Sequence, residues 1–187
     1  MNQQVKTIRV AIIEDHPEIR QGMEFLINSH PDFACDAYSS AEDAIDAFRK
    51  KAPEIVLMDI GLPGMDGIEC TRKIKKEFEG VLVMMCTVYE DDEKIFKALT
   101  AGASGYILKR SAGDHLLQSI RELHEGGAPM SSTIAKKVVT SFQKNRKVSA
   151  EEALLTDREN QILDLLSHGF RNKEIAEQLF VSVNTIR

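Results

Sequence analysis

VLMDIGLPGMDG, Val56 to Gly67, decides how this chain folds. An unbroken apolar run delivers one carboxylate, Asp59, and breaks at once into a turn of glycines and a proline. A run that is apolar at every position suits a strand covered on both faces. An acid gains nothing from ending such a strand, so the turn reads as a device that presents Asp59 for chemistry. Gly61 lets the backbone approach a ligand, and Pro63-Gly64 stiffens the loop. Asp66 is placed to cap a helix from Gly67 to Phe78 and is read as structural.

Outward from this stretch the same alternation repeats. Strand-type runs occur at IRVAII (8–13), FACDAY (33–38), EIVLMD (54–59), VLVMMCT (81–87) and GYILK (105–109). Between them apolar residues fall at helical spacing, as in Ile19, Met23, Leu26 and Ile27, or Ala41, Ala44, Ile45 and Phe48. A further helical pattern (Leu116, Leu117, Ile120, Leu123) stops at Gly126-Gly127. Five strands alternating with five helices predict an α/β, doubly wound, five-stranded parallel sheet. Right-handed crossovers bring the strand ends to one edge, beyond which ligands bind in such folds.

After the sheet, SSTIAKKVVTSF (131–142) reads as an amphipathic helix and QKNRKVSAEEA (143–153) as a linker without apolar anchors. A new helical pattern begins at Leu154. The expected division is a first domain over 1–128, a helix plus linker over 129–153, and a small all-α domain over 154–187. With 187 residues, 43% hydrophobic and 28% charged, the composition is that of a globular protein. No apolar stretch approaches the ~20 residues of a membrane span. The polar start MNQQVKTIR leads into no signal-peptide core, so a cytoplasmic protein without membrane partners is expected. Cys35, Cys70 and Cys86 lie far apart and read as reduced thiols. The net charge of −5 hides an acidic front and a mildly basic segment after residue 130, which suits two domains with different partners.

Five polar residues fall at one sheet edge: Glu14 and Asp15 after the first strand, Asp59 after the third, Thr87 on the fourth and Lys109 on the fifth. Each alone has an ordinary explanation as a cap or a solvated charge, but together they form a chemical group. Crowded carboxylates without a cysteine or histidine partner are hard oxygen ligands, pointing to Mg²⁺. His16 adjoins the pair and is expected at the surface rather than as a ligand. Asp59 can then act as a carboxylate nucleophile toward a phosphoryl group, with Lys109 and Thr87 contacting its oxygens and the Gly61 carbonyl a candidate metal ligand.

IIEDH (12–16), VLMDIGLPGMDG (56–67), CTVYEDD (86–92) and GASGYILKR (102–110), in this order, resemble the receiver domain of bacterial two-component response regulators. The resemblance implies phosphotransfer from a sensor histidine kinase. It makes Glu14 and Asp15 metal-binding acids, Asp59 the phosphoacceptor, Thr87 the switch hydroxyl and Lys109 the phosphoryl contact. Tyr106 falls at the family's switch aromatic, turning inward as Thr87 moves, where a half-buried packing residue is the ordinary reading.

Beyond Leu154, Thr156 with Glu159 forms a capping-box pattern ahead of Ile162, Leu163, Leu165 and Leu166. Gly169 breaks that helix, and Asn172 is placed to cap a second whose Ile175, Ala176 and Leu179 face a core. Ser182 is placed to cap a third, starting at Val183. The pattern fits a helix-turn-helix, although a plain helical hairpin shares the geometry. TDRENQILDLLSHGFRNKEIAEQLFVSVNTIR (156–187) resembles the LuxR-type output domain of the NarL/FixJ response regulators, which are transcription factors. By position, Asn184, Thr185 and Arg187 would open the recognition helix. Arg187 would read the major groove, and Lys173, Asn184 and Thr185 would contact phosphates. Promoter DNA and a homodimer formed on activation are the implied partners. The family's domain has four helices and this sequence ends about one turn into the third, so an incomplete recognition helix is expected.

Two other functions compete. A metal-dependent phosphatase of the haloacid dehalogenase type wants a second Asp two residues after the nucleophile, where this sequence has Gly61. A receiver serving only as a protein-interaction module would be expected to lose one of Glu14, Asp15, Asp59, Thr87 or Lys109, and none is lost.

Overall fold

The alternation read from the sequence is realised as β1 (Ile8–Ile13), α1 (Pro17–Asn28), β2 (Phe33–Tyr38), α2 (Ala41–Phe48) and β3 (Ile55–Met58), then α3 (Gly67–Glu77), β4 (Leu82–Thr87), α4 (Asp92–Thr100), β5 (Gly105–Leu108) and α5 (Lys109–His124). These elements belong to a computed structural model that describes residues 7–141, 161–162, 164–165, 170 and 172–179. The strands lie in the order β2-β1-β3-β4-β5, and every pair is parallel.

Because successive side chains of a strand point to opposite faces, each strand feeds two cores. Ala11, Ile13, Val56, Met58, Val83 and Met85 pack with Ala44, Ile45 and Phe48 of α2, Ile74 of α3 and Ile95 of α4. Val10, Ile12, Ile55, Leu57, Met84 and Cys86 pack on the other face with Ile27 of α1 and Leu116, Ile120 and Leu123 of α5. That double covering is why β3 and β5 are buried at every position, whereas β2, at the edge, alternates from its first residue.

Local chemistry sets the helix starts. Pro17 occupies the first turn of α1, where its missing N–H costs nothing. The side chains of Ser40, Asp66 and Asp91 accept hydrogen bonds from the first turns of α2, α3 and α4. Two boundaries differ from the sequence reading. Helix α3 ends at Glu77, with Phe78 as its C-cap, and Lys109 is the first residue of α5 rather than the last of the strand.

Past α5 the chain turns at Gly126, whose φ of +91° favours glycine. It returns along the open side of β5: the Tyr106 N–H donates to the Pro129 carbonyl at 2.9 Å, and Met130 forms a parallel bridge with Tyr106. A helix follows over 132–141, with Ile134 wholly buried in the same core as Tyr106. The chain divides into two compact units, Met1–Ser141 and Phe142–Arg187. In the second unit a helix spans Asn172–Gln178, and 161–162 and 164–165 are helical. Ile175 and Ala176 are buried and Leu179 half-buried, in keeping with the reading that they face a core. Asn172, expected as a cap, is instead the first helical residue. The Thr156–Glu159 capping box, the 143–153 linker and the third helix at Ser182–Val183 lie outside the described residues. No helix among the described residues is long and apolar enough to cross a membrane.

Candidate functional site

Register brings the edge residues together. Ile13 pairs with Met58, so Glu14 and Asp59 leave neighbouring strands side by side, and the Asp59 N–H donates to the Ile13 carbonyl at 3.0 Å. Thr87 pairs with Leu108, which sets Lys109 beside the end of β4. The Lys109 ammonium lies 2.7 Å from Asp59 Oδ2 and 2.5 Å from Glu14 Oε2, bridging the two acids. Their side chains are nearly buried, at 4% exposure for Asp59 and 2% for Glu14. Burial pushes the Lys109 pKa down, but its bonds to Asp59 and Glu14 outweigh that and hold it above the usual lysine value. A cation in the first turn of a helix opposes the helix dipole, so α5 itself does not account for this lysine. The two acids do.

Two hydrogen bonds close the turn that follows Asp59. Asp59 Oδ1 accepts the Ile60 N–H at 2.7 Å, and the Gly67 N–H donates to the Ile60 carbonyl at 3.1 Å. A Cβ on Gly67 would stand 1.9 Å from the Asp59 carbonyl oxygen, so only glycine lets the turn close. The sequence reading credited Gly61 and missed Gly67, which looked like an ordinary first helical residue. Asp66, read as a cap, accepts hydrogen bonds from the Ile68 and Glu69 N–H groups at 2.9 and 2.8 Å.

Glu14, Asp15 and His16 form a second group, able to offer one ligand atom each within 4.8 Å of one another. Asp59 is not part of that set; its carboxylate is turned to Lys109. His16 is 65% exposed, in keeping with a surface position, yet its Nδ1 lies 2.8 Å from Asp15 Oδ1 and 3.1 Å from Glu14 Oε1. The hydrogen bond and charge of Asp15, then those of Glu14, raise its pKa above the ordinary histidine value. Arg20, which the sequence reading passed over, donates to the Glu14 and Asp15 carbonyls at 2.7 and 2.9 Å and anchors the loop that carries them. Carboxylate oxygens dominate this corner, so its donor chemistry fits a hard divalent cation.

Thr87 is wholly buried, its Oγ1 at 3.5 Å from the Tyr89 N–H. The Tyr89 ring lies over Gly61, where a Cβ would meet its Cε2 at 3.4 Å, and the Lys94 ammonium sits 3.1 Å from the ring centre. The sequence offered no more signal for Tyr89 than an aromatic in a loop. Thr87, Val88, Leu108, Lys109 and Arg110 line a cavity of about 170 Å³. Tyr106 is fully buried, not half-buried, and its hydroxyl donates to the Tyr89 carbonyl at 2.8 Å. Burial raises its phenol pKa.

Asn184, Thr185 and Arg187 lie outside the described residues. The backbone of Lys173 belongs to the helix Asn172–Gln178 but its side chain is not among those described.

Comparison with known proteins matches residues 10–121 to the response regulator receiver domain and residues 153–187 to the bacterial regulatory proteins of the luxR family. The transcriptional regulatory protein LiaR of Bacillus subtilis (strain 168) is 33% identical over 183 residues, covering 96% of this chain and 86% of that protein. The oxygen regulatory protein NreC of Staphylococcus carnosus (strain TM300) is 32% identical over 188 residues, covering 96% and 86%. Among solved structures, a LuxR-family two-component response regulator from Aurantimonas sp. SI85-9A1 superposes with a TM-score of 0.68 at 35% identity, over 73% of this chain and 98% of that one.

Proposed function

Because this chain belongs to the LuxR family of two-component response regulators, with a receiver domain and a DNA-binding segment, we propose that Asp59 is the residue on which it is phosphorylated. A carboxylate oxygen of Asp59 attacks phosphorus as the bond to a sensor kinase's phosphohistidine nitrogen breaks. The ammonium of Lys109, already 2.7 Å from Asp59, pairs with the charge that builds on the transferring oxygens. The single observation carrying this reading is that ammonium bridging two buried carboxylates, a cation held where negative charge is to be added.

Asp15, Glu14, Asp59 and the Gly61 carbonyl would hold Mg²⁺, which when bound neutralises phosphoryl oxygen charge. Thr87 donates its hydroxyl to a phosphoryl oxygen, and the gain biases an existing equilibrium toward the arrangement with Tyr106 inward. That shift alters the face formed by α4 and β5, which controls pairing of two copies and with it binding to promoter DNA. In this reading 1–128 is the receiver, 129–153 the helix and linker, and 154–187 the DNA-binding part, where Arg187 reads bases in the major groove and Lys173, Asn184 and Thr185 contact the phosphate backbone. The protein works in the cytoplasm.

Incubation with a small phosphodonor such as acetyl phosphate and Mg²⁺ tests the site. Asp59→Asn is expected to abolish phosphoryl incorporation while leaving the circular dichroism spectrum unchanged. Labelling of that variant at the wild-type level removes Asp59 from the mechanism.

A further inference from the structure

The loop between β4 and α4 is gripped from two sides. On its inner side the Tyr106 hydroxyl donates to the Tyr89 carbonyl at 2.8 Å. On its outer side the ammonium of Lys137, from the helix over 132–141, donates to the next carbonyl, that of Glu90, at 2.6 Å and to Asp92 Oδ1 at 3.1 Å. Two consecutive carbonyls of one loop therefore bind the switch aromatic and the helix that follows the receiver.

The segment carrying Lys137 is built into the receiver. Pro129 and Met130 run beside β5 through Tyr106, the residue whose hydroxyl holds the loop. Gly105 makes room for that passage, since a Cβ there would meet Pro129 Cγ at 3.0 Å and Met84 Cγ at 3.2 Å. Ile134 is wholly buried, and Met130 and Val138 pack on the core that contains Tyr106, Ile95 and Ala98. Ser131 Oγ accepts the Ile134 N–H at 3.3 Å and starts the helix.

We propose that residues 129–141 read the phosphorylation state of the receiver in cis, with Lys137 as the positioning residue that ties this helix to the β4–α4 loop. The proposal rests on Asp59 being the phosphoacceptor. A phosphoryl group that draws in Thr87 favours the loop arrangement this structure holds, in which the Tyr106 hydroxyl binds the Tyr89 carbonyl and Lys137 the Glu90 carbonyl. The arrangement with Tyr106 inward and Lys137 latched then gains jointly, so phosphorylation firms the 132–141 helix, and the helix in turn favours the phosphorylated form. That reciprocity is required of any coupling between two sites. Packed elements transmit such a shift because they repack between discrete arrangements. A partly exposed lysine contributes little to global stability. Its effect is therefore sought in the coupling rather than in the melting temperature.

The test uses the 187-residue chain with beryllium fluoride and Mg²⁺ as the phosphoryl mimic, for wild type, Lys137→Met, Lys137→Arg and Asp59→Asn. Affinity for the mimic and amide hydrogen exchange over 129–141 are read together. In wild type the mimic is expected to slow exchange over 129–141. Lys137→Met, which keeps the apolar stem, is expected to bind the mimic about fivefold more weakly, at the low end of allosteric couplings. Lys137→Arg is expected to restore most of that affinity. Wild type that fails to bind the mimic, or Asp59→Asn that binds it equally, defeats the phosphoacceptor reading itself. Wild type that binds through Asp59 while Lys137→Met binds equally well, or while 129–141 exchanges at an unchanged rate, overturns the cis-reader proposal alone.

Discussion

Replacing Lys109 by methionine keeps most of the side chain's volume and removes only its charge, so its consequence follows from the two acids left behind. Glu14 and Asp59 are 2% and 4% exposed, and the ammonium lies 2.5 and 2.7 Å from them. Removing one partner of a buried ion pair typically costs about 3–5 kcal/mol, because the remaining charge stays desolvated and unpaired. For a unit of this size each kcal/mol shifts the melting temperature by roughly 2–4 °C, so a fall of about 10 °C is expected in metal-free buffer. Adding Asp59→Asn to Lys109→Met relieves the repulsion between the acids and is expected to return about 1–2 kcal/mol, a coupling that a double-mutant cycle reads directly. Millimolar Mg²⁺ should raise the melting temperature of Lys109→Met more than that of wild type, since a bound cation stands in for the missing charge. Thermal unfolding followed by circular dichroism measures all three. A melting temperature for Lys109→Met within 2 °C of wild type, together with no coupling to Asp59→Asn, would refute the claim that this lysine holds two buried carboxylates in place.

Gly67→Ala puts a methyl group 1.9 Å from the Asp59 carbonyl oxygen; it should destabilise the fold by more than about 2 kcal/mol and impair phosphorylation by displacing Asp59, both measurable on the purified variant. The thiols of Cys35, Cys70 and Cys86 are pushed up to about 12, mainly by burial, so a thiol reagent at pH 8 should label them only after denaturant is added. His16 has a folded pKa raised above 6.5 by Asp15 first and then Glu14. Its stabilising contribution is therefore complete below pH 6.5 and lost as the pH rises through the folded value. An NMR titration should find the midpoint above 6.5 and, in Asp15→Asn, closer to it.

Much of this protein was legible in order along the chain. Period-two and period-3.6 apolar patterns act locally, so five strands, five helices and the parallel arrangement could be read before any contact was known. The capping role of Asp66 is equally local, since it depends on residues two and three positions away. The edge carboxylates were legible because parallel strands must deliver their ends to one side. Other features depended on groups far apart in sequence. The bond from Lys109 to Asp59 spans 50 residues, and that from Lys137 to the Glu90 carbonyl spans 47. The closeness of Gly67 to the Asp59 carbonyl arises from how one turn folds back on itself, a backbone fact that residue type alone does not announce. Tyr106 read as half-buried because a tyrosine on an edge strand ordinarily is. Met130 bridges to it and Ile134 joins its core, so this edge is covered by later chain, and only the folded molecule could place that cover there. Sequence determines what each segment prefers by itself. Which charges meet, and which edge is closed, is settled by packing, because those energies exist only once distant segments exclude water between them.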